Sequence, residues 1–177
     1  CFYRDGTRPD LLLSPPRRSA GLVDVTKGKI LWMSIGMANT TQETQEFLSL
    51  MKSFPDKNPN LVLIDGAVGG QDINAINSPT ASYWNTVSSR LAAESLTAAQ
   101  VQVIWYKEAE AQASDTSFAS YPDALKTKYK SVMQLLKAKF PNLKLVYLSS
   151  RVYAGYASTK LNPEPFAWHS GWTVKRL

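Results

Sequence analysis

The chain has 177 residues, 44% of them hydrophobic and 19% charged, an ordinary composition for one globular domain and unlike that of a disordered chain. The 20 Lys and Arg outnumber the 14 Asp and Glu to give a net charge of +6, without the aromatic interleaving of a nucleic-acid stripe, so nucleic acid is not an expected partner and an acidic polysaccharide is a compatible one. A single cysteine and a single histidine exclude an internal disulfide framework and any cysteine- or histidine-rich metal site, and no apolar run approaches the ~20 residues that span a bilayer.

Residues 1–27 carry Arg-Pro and Pro-Pro steps without apolar periodicity, which predicts an extended lead-in over the domain. Cys1 fits either a disulfide to a cysteine outside this segment or the lipid-bearing first residue of a processed lipoprotein. "KILWMSI" (29–35) is a short continuous apolar run, as expected of a strand buried on both faces. Phe47, Leu50, Met51 and Phe54 then recur at helical spacing up to Pro55. "NLVLID" (60–65) predicts a second buried strand, followed by a glycine-rich turn and a helix with Tyr83, Trp84, Val87 and Leu91 on one face. "VQVIWY" (101–106) predicts a third strand. Leu125, Tyr129, Val132, Met133, Leu136 and Phe140 line one side of a long basic helix that Pro141 ends. "LKLVYLSS" (143–150) predicts a fourth strand, and "SGWTVKRL" (170–177) the start of a last helix.

Strand and helix alternate throughout, which predicts one α/β domain over residues 28–177, with a parallel sheet, right-handed crossovers and helices on both faces. In such sheets ligands bind beyond the carboxyl ends of the strands, where the loops diverge. The loops in question are "GMANTT" (36–41), "GAVGGQD" (66–72), "KEAEAQASD" (107–115) and "RVYAGYASTKLNPEPFAWH" (151–169), and each holds polar or glycine residues that its strand does not need.

"GMAN" at Gly36 to Asn39, "GAVGGQ" at 66–71 and "WYKEAE" at Trp105 to Glu110 together resemble the blocks of the SGNH (GDSL-like) hydrolase superfamily. The likeness is greatest to its sialate O-acetylesterase and acetyl-xylan esterase group, whose first block reads Gly-Gln-Ser-Asn and whose third reads Trp-Tyr-Gln-Gly-Glu. Residues 28–177 are also similar to a set of uncharacterised bacterial proteins carrying "SIGMSNTTQE", "DGAQGGQ", "LVYLSSRIYAGY" and "NPEPYAYESGF". The resemblance implies a three-layer, doubly wound parallel sheet of the SGNH, flavodoxin-like type, and no cofactor.

Carried over position by position, the resemblance puts Ala38 where the nucleophilic serine would stand. It makes the backbone N–H groups of Ala38 and Gly70 the oxyanion donors and sets Lys107 near the place of a third. His169 becomes the general base, just ahead of the final helix. The orienting acid expected three residues earlier is replaced by Phe166, which leaves Glu164 as the nearest carboxylate. Asn39, Gln71, Gly36 and Glu110 complete the implied binding set, with no metal. A methyl group cannot attack a carbonyl, so Ala38 removes the acyl-enzyme route.

Each of these residues has a purely structural reading as well. Gly69 and Gly70 suit a tight turn, Gln71 and Asp72 suit helix capping, and Lys107, Glu108 and Glu110 suit a solvated loop. His169 suits a buried, hydrogen-bonded position, and most of Trp105, Tyr106, Tyr153, Tyr156, Trp168 and Trp172 suit the core. Asn39-Thr40-Thr41 is a formal glycosylation sequon.

The expected function is that of a secreted or cell-surface, carbohydrate-related protein on an esterase-like scaffold that has lost the serine reaction. It would bind an acylated glycan or polysaccharide, or serve structurally. Two alternatives stand beside it: an active carbohydrate esterase, with Ala38 replacing a serine or with water activated through His169 or Glu110, and an assembly protein with a vestigial pocket.

Overall fold

The computed structural model describes residues 28–177. The lead-in expected over 1–27, with Cys1, lies outside the described residues. Four strands, β1 (Ile30–Gly36), β2 (Leu61–Asp65), β3 (Val101–Lys107) and β4 (Leu145–Leu148), form one sheet in the order β2-β1-β3-β4, and every pair is parallel. The helices between and after them are α1 (Ala38–Lys52), α2 (Ile73–Ile76), α3 (Ser82–Ala93), α4 (Tyr121–Lys139) and α5 (Phe166–Lys175). The two central strands are the most apolar and the most buried, because a strand flanked and covered on both sides has no face left for polar residues.

Side-chain alternation along β1 separates the two faces of the sheet. Leu31, Met33 and Ile35 join Ile64, Ile104 and Tyr106 in one core with Tyr83, Trp84, Val87 and Leu91 of α3 and Leu125, Tyr129, Val132 and Leu136 of α4. Each large apolar side chain fully buried there stabilises the fold by about 1.5–3 kcal/mol relative to exposure. Both helical stripes are the ones the sequence spacing predicts. On the opposite face Trp32 meets Phe47 of α1 at 5.3 Å between ring centroids and stacks on Trp105 at 6.2 Å.

Helix α1 departs from expectation. Its spacing predicts a helix up to Pro55 with Phe47, Leu50, Met51 and Phe54 on one face, yet the helix ends at Lys52, Leu50 and Phe54 are 62% and 52% exposed, and the buried residues of the helix are Thr40 and Thr44. The reason is where the helix sits: it packs on β1 and β2, with Thr40 and Thr44 turned inward. Thr40 Oγ1 donates to the Lys107 carbonyl at 2.8 Å, and Thr44 Oγ1 to the Thr40 carbonyl at 2.7 Å. The face under β3 and β4 stays open as a groove of about 360 Å³ lined by Trp32, Glu43, Phe47, Trp105 and Tyr147.

Two boundaries also differ. β4 has 4 residues where the apolar pattern predicts eight, because it is an edge strand paired on one side only. α5 starts at Phe166, directly after Pro165 in the cap position, so His169 lies inside the helix and not ahead of it. Pro165 has no N–H to lose there, and its carbonyl accepts from His169 N at 2.9 Å. No helix among the described residues is long and apolar enough to cross a membrane.

Candidate functional site

The strand order reverses between β1 and β3, since the chain leaves β1 for β2 on one side and returns to β3 on the other. At the carboxyl end of this switch point lies a cavity of about 450 Å³ lined by Met37, Ala38, Asn39, Gln42, Gly70, Ala111, Gln112, Arg151 and Leu161. All four loops that follow strands contribute to it. This is the position at which open parallel sheets bind ligands.

Short-range constraints explain the shape of its walls. At Gly36 a Cβ would stand 2.3 Å from Thr40 Oγ1 and 2.4 Å from the Lys107 carbonyl, so only glycine lets α1 begin this close to the end of β3. The Gly36 carbonyl accepts from Val68 N at 2.9 Å, and Thr41 Oγ1 donates to the Ala67 carbonyl at 2.9 Å, which ties the loop after β2 to α1. Gly70 has open space around it but a φ of +75°, so its requirement for glycine is conformational. Asp72 caps α2 by accepting from Asn74 N and Ala75 N, and its other oxygen accepts from Ala111 N at 2.9 Å, joining the loops after β2 and β3.

Arg151 is the residue that sequence reasoning missed. Its Nε donates to Asn162 Oδ1 at 3.2 Å, one terminal nitrogen donates to Asn39 Oδ1, and its backbone N–H donates to Ser170 Oγ at 2.9 Å. Asn162 is fixed in turn by donating from Nδ2 to the Glu110 carbonyl at 3.1 Å. The side chain is half-buried, and burial lowers its pKa from the usual arginine value, partly opposed by Glu108 and Glu43. The signal available in the sequence was its place, one residue after "LVYLSS" and so just beyond a strand's carboxyl end.

The expected site residues divide into two groups. Ala38, Asn39 and Gly70 line the cavity together, and Gly36 stands directly behind it. The others point elsewhere. Gln71 is half-buried, and its backbone N–H closes a turn on the Val68 carbonyl at 3.3 Å. Lys107 is buried, and its Nζ pairs with Glu43 at 2.5 Å in the apolar groove on the α1 face, because position 107 alternates to that side of β3. Glu110 accepts from Lys128 Nζ at 2.8 Å and from Asn74 Nδ2 at 3.2 Å, a bridge to α4.

His169 is almost fully buried and enclosed by Phe118, Tyr121, Phe166 and Trp168 at ring distances of 5.8, 5.7, 6.5 and 5.5 Å. Its Nδ1 has no hydrogen-bond partner, and it is not among the residues that line the cavity. Burial holds the imidazole below its ordinary pKa, with Asp115 and Glu164 pulling the other way. Glu164 does not face the ring nitrogen; its two oxygens accept from Ala154 N and Trp168 N, each at 2.9 Å. Glu108 is fully buried with Oε1 unpaired, and burial raises its pKa well above the ordinary carboxylate value.

Among the described residues the cavity is thus lined by amide and apolar groups and the glycine backbone, with Arg151 the one ionisable side chain. Its wall carries a cation and, among the described residues, no nucleophile, acid or base. Among the described residues no group of three or more His, Cys, Asp or Glu side chains could hold a metal ion. No family model, curated protein or solved structure matches the chain.

Proposed function

We propose that this is a secreted or cell-surface glycan-binding protein on an SGNH esterase-like, flavodoxin-like scaffold, in which the serine-dependent reaction has been lost. The strand order β2-β1-β3-β4 agrees with the first four positions of the flavodoxin-like order, which supports the fold assignment. The observation that carries the functional reading is Ala38. It lines the switch-point cavity beside Asn39 and Gly70, where the resemblance sets a nucleophile, and no other described residue on that wall can attack an ester or activate water. The side-chain amides of Asn39, Gln42 and Gln112 suit the hydroxyl and acyl oxygens of a sugar ester.

The test has two halves. Acetylated xylo-oligosaccharides titrated into the protein should shift the amide resonances of Ala38, Asn39, Gly70 and Gln112. The same protein should hydrolyse p-nitrophenyl acetate no faster than a heat-denatured control. Saturable hydrolysis would overturn the loss of activity, and absence of shifts at those four amides would overturn glycan binding at this cavity.

A further inference from the structure

Arg151 brings a positive charge to the wall of the cavity, and among the described residues that charge has no ion-pair partner. Among the described residues no carboxylate lies within ion-pairing distance of the guanidinium. Two carboxylates, Glu108 and Glu43, act on it from beyond ion-pairing distance. Glu43 is paired with Lys107 at 2.5 Å, and Glu108 is buried in the core without a hydrogen bond to the guanidinium. Both groups that do touch the guanidinium are neutral amides, Asn39 and Asn162.

Those amides fix the group in orientation without satisfying it. A guanidinium has five N–H donors in one plane. Asn162 takes the Nε hydrogen and Asn39 takes one on a terminal nitrogen, which leaves both terminal nitrogens with hydrogen to donate. A partly desolvated arginine held by neutral groups is an incomplete arrangement in a folded protein, because burying a cation is costly unless an anion accompanies it. Two parallel N–H groups at the free end match the two oxygens of a carboxylate.

We infer that the cavity is a carboxylate-binding site, in which the free end of Arg151 takes a carboxylate in bidentate fashion while Asn39 and Asn162 hold the guanidinium in place. Resting on the glycan-binding reading above, the carboxylate belongs to a sugar acid, so the ligand is a uronic-acid glycan and not a neutral one. Three further features of the chain fit such a ligand. The cavity volume of about 450 Å³ accommodates a sugar ring, the amides of Gln42 and Gln112 are placed to meet its hydroxyls, and the net charge of +6 favours approach of an acidic polysaccharide.

The experiment is a titration of the full chain, followed by amide chemical shifts and calorimetry, with four probes: glucuronate, glucose, acetate and inorganic phosphate. Glucuronate should bind at the amides of Ala38, Asn39, Gly70 and Gln112 at least about tenfold more tightly than glucose, and Arg151→Gln should remove that advantage. Asn39→Asp provides a second variant that does not depend on Arg151→Gln folding well. It places a permanent carboxylate on the guanidinium and should abolish glucuronate binding in a protein at least as stable as the parent.

The other outcomes are equally decisive. If glucuronate and glucose bind alike, and neither variant changes this, the carboxylate site is overturned while glycan binding stands. Acetate binding as tightly as glucuronate, with the same dependence on Arg151, would support the carboxylate site and overturn the glycan reading. Phosphate binding more tightly than glucuronate would overturn the assignment to carboxylates. Shifts confined to surface lysines would overturn the site itself.

Discussion

Arg151 donates to the side-chain oxygen of Asn39, a residue 112 positions earlier, and so links the loop after β4 to the first turn of α1 on the wall of the cavity that both residues line. A hydrogen bond from a charged donor contributes about 1.5–3 kcal/mol when its partner is deleted. Asn39→Ala should therefore destabilise the protein by roughly that amount. Urea unfolding of the two proteins measures it, and a change below about 0.5 kcal/mol, the range of ordinary surface substitutions, would show that the pair is not formed in solution.

Glu108 sets a second prediction. Its Oε2 accepts only from the adjacent Ala109 N at 3.2 Å, its Oε1 is unpaired, and Tyr106 OH is buried without a partner as well. Burial is the main cause of its raised pKa, with Asp72 adding to it and the Ala109 N–H and Arg151 opposing it. Because the folded value lies above the ordinary 4.5, the contribution of Glu108 to stability is complete below about that pH and declines as pH rises toward the folded value. Glu108→Gln removes this dependence. The stability of the parent minus that of the variant should fall between pH 4.5 and 7, by at most about 1.4 kcal/mol per pH unit. Parallel curves would mean that Glu108 ionises freely in the fold.

The strands and the two stripes on α3 and α4 were legible because their periodicity and their burial have the same cause, contact with one core. Helix α1 shows where such reading ends. Phe47, Leu50 and Met51 announce a helix correctly, but spacing says nothing of which neighbour covers the stripe, and here Thr40 and Thr44 are the buried residues while Leu50 faces outward. The cavity was half legible. Its glycines and Ala38 stand in loops that any parallel sheet brings together at its carboxyl edge. Arg151 was not, since its meaning lies in the lack of an ion-pair partner among the described residues, and that becomes visible only when Glu43 is seen paired with Lys107. Alternation along β3 could have warned that Lys107 turns away from the cavity.

His169 gives the opposite pH dependence to Glu108. Its folded pKa lies below the ordinary 6.5, with burial as the leading cause, so the unfolded chain takes up the proton first as pH falls. Stability should decline as pH drops through 6.5 toward the folded value and then level off. His169→Phe, which fills the same aromatic enclosure without the unpartnered Nδ1, should leave stability at pH 7 equal or higher and remove the acid limb. Thermal unfolding of both proteins between pH 5 and 8 checks this. A parent no more acid-sensitive than the variant would show that the imidazole is solvated.

Ala38→Ser tests whether the cavity is one atom short of an esterase. The Ala38 Cβ lies 3.5 Å from the position a Cβ would take on Gly69, ordinary contact that leaves room for a hydroxyl on its open side, so the variant should fold with a stability change within about 0.5 kcal/mol. A serine hydroxyl is a weak nucleophile until a base within about 2.6–3.2 Å takes its proton. No such base lines the cavity among the described residues: His169 is enclosed by four aromatic rings, Glu110 is committed to Lys128 and Asn74, and Arg151 would favour the alkoxide only by its charge. The expected result is no saturable hydrolysis of p-nitrophenyl acetate by Ala38→Ser. The measurement that decides it compares Ala38→Ser with the double variant Ala38→Ser, His169→Ala. If the single variant turns over and the double does not, the ring reaches residue 38 in solution, and the loss of a single oxygen atom, rather than of the whole catalytic arrangement, separates this chain from an active esterase.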